Sequence, residues 1–210
     1  GKATAAGASG VEAGRVAGLV DLAENRVEQA VEMLQAASRE APRSVATRLA
    51  LVRALIAARK PRQARTELRA VLGADPENSQ GRLLLGRAFL EDEYDLEAIR
   101  ELKRAAASSK ERQAAPRRRA EVLSTLALAH FYYGEYGRAL VLLDDAQALD
   151  PARGDVHLHR GLTYAKLDRP ERALRQYEKA VQADPGLAEA HYRYGVALRE
   201  QGGSKETASA

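Results

Sequence analysis

The sequence predicts an all-α protein built as a stack of helical hairpins. Three observations lead there. The first is a repeat: small residues and prolines recur every 34 positions, so that Ala139 is followed by Ala173, Ala146 by Ala180, Pro151 by Pro185 and Gly161 by Gly195. A period of that size marks supersecondary units that bury their apolar faces only by stacking on one another. The second is composition. The 210 residues are 45% hydrophobic but only 5% aromatic, and 30% charged. Ala, Leu, Glu and Arg, the residues that dominate, are strong helix formers. The third is punctuation: prolines and turn residues fall between stretches whose apolar residues are spaced three and four apart.

Taken in order, residues 1–10, GKATAAGASG, are small and read as a flexible segment. The array is expected over 11–201. Its first copy is 11–44, with a helix to about Glu24, a turn at Asn25-Arg26 and a second helix carrying Val27, Ala30, Val31, Leu34 and Ala37. Pro42 stops that helix, because proline cannot continue one. The second copy, 45–78, is divergent: Val52 stands in the place of Gly18, and Val71 in the place of Ala37, while Ala64, Leu68 and Pro76 keep the pattern. Pro61 sits where a helix starts and a missing N–H costs least.

The third copy, 79–112, restores Gly86, Phe89, Tyr94, Ala98 and Ala105, with Lys110 where the proline would stand. An insert at 113–119, QAAPRRR, then breaks the period. The preceding helix is expected to extend partly into it and to break ahead of Pro116, since the residue before proline disfavours helix. The fourth copy, 120–153, carries Ala127, Gly134, Tyr136, Ala139, Ala146 and Pro151. The fifth, 154–187, is the most regular, with Gly161, Tyr164, Ala173, Tyr177, Ala180 and Pro185. A half copy, 188–201, keeps Gly195. Residues 202–210, GGSKETASA, supply no apolar face for a partner helix and read as a flexible tail.

The spacing has a packing reason. Packed helices lie 8–10 Å apart, and glycine or alanine at matched places lets them approach. Gly86, Gly161 and Gly195 open a gap on first helices, and Ala98, Ala139 and Ala173 fill matching places on second helices. Tyr164 and Tyr177 provide the bulk that closes a layer.

A 34-residue unit with Gly, Tyr, Ala, aromatic, Ala and Pro in these places resembles the tetratricopeptide repeat, over nearly the whole chain. The resemblance implies a right-handed α-α superhelix, a solenoid of antiparallel helix pairs whose first helices line a concave groove. It implies a non-catalytic scaffold or adaptor that binds a partner protein, helix or peptide there. It also puts the second, fifth, ninth, twelfth and thirteenth places of each repeat on the inner face. Those places include Leu49, Arg53, Ile56, Leu83, Arg87, Leu90, Leu128, Phe131, Tyr132, Leu158, Leu162, Tyr192, Val196 and Arg199. The surface they predict is apolar and dotted with arginine. Phe131-Tyr132 stands out, because the chain has two phenylalanines; a groove position exposes the pair and a packing position buries it between repeats. The Lys/Asn/Lys/Arg clamp by which related co-chaperones hold a carboxylate is missing: the ninth places are Leu19, Arg53, Arg87, Leu128, Leu162 and Val196.

Other chemistry is weakly signalled. A basic run around the insert includes Lys110, Arg112, Arg117, Arg118 and Arg119. It reads as solvated surface, and as the candidate patch for an acidic partner. No aromatics interleave with it, so nucleic acid is not expected. The net charge of +4 requires no particular partner. The chain has no cysteine, and its four histidines are not spaced as metal ligands; no metal, cofactor or small-molecule substrate is expected. No phosphate-binding glycine loop or nucleophile elbow is present. No apolar run is long enough to span a bilayer; peripheral or lipid-anchored association and the compartment stay open. Two further readings follow the resemblance: a cell-envelope assembly factor of the pilotin type, and the recognition domain of a larger enzyme.

Overall fold

The computed structural model describes residues 2–108 and 114–208, with side chains described over 10–108 and 114–201. Among the described residues there are eleven helices and no strand. The chain divides into two compact units, Gly1–Glu111 and Arg112–Ala210. The first holds α1 (Lys2–Ala23), α2 (Val27–Glu40), α3 (Val45–Ala57), α4 (Pro61–Ala74), α5 (Ser79–Glu91) and α6 (Asp95–Ala107), which pair as three hairpins. The second holds α7 (Pro116–Tyr132), α8 (Tyr136–Leu149), α9 (Gly154–Lys166), α10 (Pro170–Ala183) and α11 (Ala188–Ala208), two hairpins and a last helix packed on α10.

Every hairpin turn is closed in the same way. Asn25, Arg59, Glu93, Gly134 and Asp168 each take a positive φ, between 52° and 86°. The following amide then reaches back five residues: Arg26 to Asp21, Lys60 to Leu55, Tyr94 to Phe89, Glu135 to His130 and Arg169 to Tyr164, at 2.8–3.0 Å. This left-handed closure satisfies carbonyls that a helix end would otherwise leave bare. Between hairpins, Ser44 and Asn78 cap α3 and α5 by accepting from the amides of Thr47 and Gly81.

Within a hairpin the glycine gap is filled from the opposite helix. A Cβ on Gly18 would meet Leu34, one on Gly86 would meet Leu102, and one on Gly161 would meet the Tyr177 ring, all at 2.4–2.5 Å. The first unit is held by a core that includes Leu34, Val52, Leu55, Leu68 and Leu84. The second has one cluster around Phe131, Leu143 and Val156 and another around Leu158, Tyr177 and Ala190.

Three expectations are corrected. Residues 2–10, read as flexible, open α1; their alanines favour helix more than their two glycines oppose it. The helix before the insert is not lengthened: α6 stops at Ala107, and the extra turn is at the front of α7, which starts on Pro116 rather than Ala120. Proline is well placed there, as the first residue of a helix. Residues 202–208, read as tail, continue α11 through Gly202-Gly203; two glycines cost about 1 kcal/mol each in a helix and do not by themselves end it.

Candidate partner-binding surface

The predicted groove residues separate by burial. In the first unit Leu49 and Leu83 are buried, Ile56, Arg87 and Leu90 are half-buried, and Arg53 is exposed. In the second unit Leu158 and Phe131 are buried, Leu128, Leu162 and Val196 are half-buried, and Tyr132, Tyr192 and Arg199 are exposed. Leu49, Leu83, Leu158 and Phe131 are therefore core rather than groove. The fifth-place leucines lie on first helices that pack against one another, α1 on α3, α3 on α5 and α7 on α9. Tyr192 holds the same place on α11, the last first-type helix described, and is 66% exposed.

Phe131 is buried for a different reason. Its ring packs 5.7 Å from Tyr136 and edge-on to Tyr132 at 5.4 Å, so the α7–α8 layer is closed by two rings. One repeat later those two places hold Ala165 and Pro170. The space the rings would fill is left as a cleft of about 480 Å³. Leu174 and Tyr177 of α10 and Val196 and Ala197 of α11 supply its apolar wall, and Asp168, Glu171, Arg193 and Glu200 its polar edge. Burial in this wall pushes the Tyr177 phenol up to about 12. Tyr192, Val196 and Arg199 share a face of α11 at helical spacing, and Arg193 lies over the Tyr192 ring at 5.8 Å. Tyr132 and Tyr133 are also exposed, on the end of α7.

Lys110 and Arg112 of the basic run lie outside the described residues. Arg117, Arg118 and Arg119 occupy the first turn of α7, where the helix dipole disfavours positive charge. Arg117 is largely exposed and stands 4.0 Å from Asp150.

The histidines have structural partners. His130 Nδ1 meets the Glu135 carboxylate at 2.5 Å, His157 meets Gln176 at 3.0 Å, and His191 Nε2 meets the Pro185 carbonyl at 3.0 Å. His159 and Asp155 both approach the Ser124 hydroxyl, at 3.0 and 3.4 Å. This grouping has the residue types of a catalytic triad, but its serine, Ser124, is fully buried and closed to a substrate. It ties α7 to α9. Sequence reasoning missed it because the partners are 31 and 35 positions apart with no motif between them. Among the described residues no three His, Asp or Glu side chains group as metal ligands, and no helix is long and apolar enough to cross a membrane.

Comparison with known proteins agrees with this architecture. Family models of the tetratricopeptide repeat match residues 21–88 and 154–187. No curated protein matches the sequence. Among solved structures, a thermophilic tetratricopeptide-repeat protein of Thermus thermophilus superposes with a TM-score of 0.79 at 22% identity, over 90% of this chain and 98% of the other. Pseudomonas aeruginosa PilF gives 0.71 at 22% identity, over 97% and 89%. YrrB, described as having an unusual peptide-binding site, gives 0.55 at 19% identity, over 83% and 87%. At these identities the likeness concerns the fold.

Proposed function

From the premise that this chain is a tetratricopeptide-repeat protein, we propose that it is a non-catalytic scaffold that binds a segment of a partner protein on its second unit. The contact face comprises Tyr132, Leu128, Leu162, Tyr192, Val196 and Arg199, and an apolar or aromatic side chain of the partner enters the cleft at Ala165. One observation carries this reading: a layer that is closed by Phe131 and Tyr136 in one repeat is left open in the next, beside an exposed tyrosine. Open apolar walls with an aromatic beside them are where interfaces place their anchors. Asp168, Glu171 and Glu200 outnumber Arg193 at the edge, which favours a partner with lysine or arginine next to its anchor.

The arginines at the start of α7 support a second contact, with an acidic stretch of the same partner, because charge so placed gains nothing from its own helix. A pilotin-type role and the recognition domain of a larger enzyme use the same fold, and neither draws support from this cleft.

The test is affinity capture from a native lysate with wild type and a Tyr132→Ser/Tyr192→Ser variant. Both tyrosines are exposed, so the variant keeps its helical circular dichroism. Loss of the captured partner is expected. Equal capture by the folded variant contradicts the assignment.

A further inference from the structure

The hairpins share an internal code that α11 exposes unanswered. In each complete repeat, the face of the first helix that meets its own second helix carries a small or compact residue at its eighth place: Gly18, Val52, Gly86, Ala127 and Gly161. The residue sixteen positions later packs on it, and that residue is Leu34, Leu68, Leu102, Leu143 or Tyr177, all buried. In three repeats the residue just before this knob is a hydrogen-bond acceptor clamped by the fourth place of the first helix. The pairs are Arg48 with Glu67, Arg82 with Glu101 at 2.6 Å, and His157 with Gln176 at 3.0 Å. The knob is flanked by alanines, Ala98 and Ala105 in one repeat and Ala173 and Ala180 in another, with Ala64 and Val71 in the divergent second copy.

On α11 the same face is His191, Gly195 and Leu198. A Cβ on Gly195 would meet nothing within 4 Å. His191 and Leu198 are exposed, whereas Leu55 and His130, at the eleventh place that Leu198 holds, are buried. Arg48 and Arg82 hold the carbonyls of Pro42 and Pro76 in addition to their acceptors. His191 holds that of Pro185 through Nε2, and its Nδ1 has no partner among the described residues. Residues 202–208 continue the helix along the α11 axis.

We propose that this face binds a helix of a partner protein that reads Ala-x-x-(Glu/Gln)-(Leu/Tyr)-x-x-Ala. The partner's Leu or Tyr enters the notch at Gly195, its small residues allow the close approach, and its polar side chain meets His191 Nδ1, a Gln by donating its amide N–H to the neutral ring and a Glu by accepting from the protonated one. The complementarity is specific: an imidazole whose Nε2 is already taken by a carbonyl leaves Nδ1 for a Gln or Glu, beside a notch with room for one large side chain. This site is on a different face of α11 from Tyr192 and does not depend on the partner segment proposed for the cleft.

The chain's own α10 carries the sequence pattern, with Gln176-Tyr177 between Ala173 and Ala180. A fluorescent peptide of residues 170–183, stapled on its outer side to hold the helix, is therefore the probe. Titration of the peptide with the protein, read by anisotropy, is expected to saturate. Gly195→Leu fills the notch from a Cβ position that meets nothing within 4 Å, and should weaken binding about tenfold or more. His191→Ala should weaken it less, and Tyr192→Ser should leave it within about twofold. A peptide with alanine for the tyrosine should not bind. Failure to saturate, or equal binding by a folded Gly195→Leu variant, overturns the proposal. So does sedimentation showing a wild-type dimer that Gly195→Leu makes monomeric, because the occupant is then a second copy.

Discussion

Tyr177 is where packing, charge and the candidate site meet. Its ring fills the gap at Gly161 and its edge forms part of the cleft wall. Burial disfavours the phenolate and pushes its titration from the ordinary 10.0 to about 12. The sign of the consequence is fixed: between pH 10 and 12 the unfolded chain loses this proton first, so stability falls as pH rises. Below about pH 10 both states are protonated and the contribution is constant. Tyr177→Phe removes this dependence. Urea unfolding at about pH 9 and about pH 11 should show a smaller loss in the variant than in wild type, and equal losses would contradict the assignment. The ring's place was legible in the sequence as the bulk of the fifth repeat. That it walls a cleft was not, because this depends on Ala165 and Pro170 being small, and alanine and proline at those places signal nothing alone.

Phe131 shows the opposite error of reading. Its rarity drew it to the groove, but a ring with Tyr136 five positions later and Tyr132 beside it closes a layer. Rarity of a residue type carries no information on the side it faces; the neighbours at its own level of the stack do.

At the scale of elements, the helix pair α9–α10 is the measure of how closely two backbones approach. Gly161→Ala places a Cβ 2.4 Å from the Tyr177 ring, a contact that requires one of them to shift. The expected cost is about 1–3 kcal/mol, larger than the gain from replacing glycine in a helix. Gly195→Ala, at the matching place of α11, meets open space and should instead stabilise by about 0.5–1 kcal/mol. Urea midpoints of the two variants decide it; a common sign would contradict the difference in packing between the two places. The hairpins themselves were legible, because proline, small residues and apolar spacing act locally. The ends of elements were not. α1 and α11 outrun the repeat, since nothing in residues 2–10 or 202–208 compels a helix to stop. The extra turn of α7 moved ahead of the repeat boundary because Pro116 starts a helix as well as ending one.

At the scale of the whole molecule, the period of 34 carried the architecture before any coordinate, and it is met by family models at both ends of the chain and by solved solenoids of the same fold. A regular period also hides function, because it describes what the copies share. The candidate surfaces lie where copies differ: a layer lacking two rings, and a first-type helix, α11, whose second-helix face is uncovered among the described residues. Neither departs from the repeat by more than a few side chains, so a reading tuned to the pattern passes over both.

The open layer is the centre of the functional assignment, and one measurement addresses it directly. Ala165→Phe restores the ring that Phe131 supplies one repeat earlier and fills the cleft beside Val196 and Leu174. Partner capture from native lysate, quantified by mass spectrometry beside the variant's thermal unfolding, should fall at least about tenfold while the melting temperature holds or rises. Undiminished capture by an equally stable Ala165→Phe protein would contradict the claim that the cleft receives the partner.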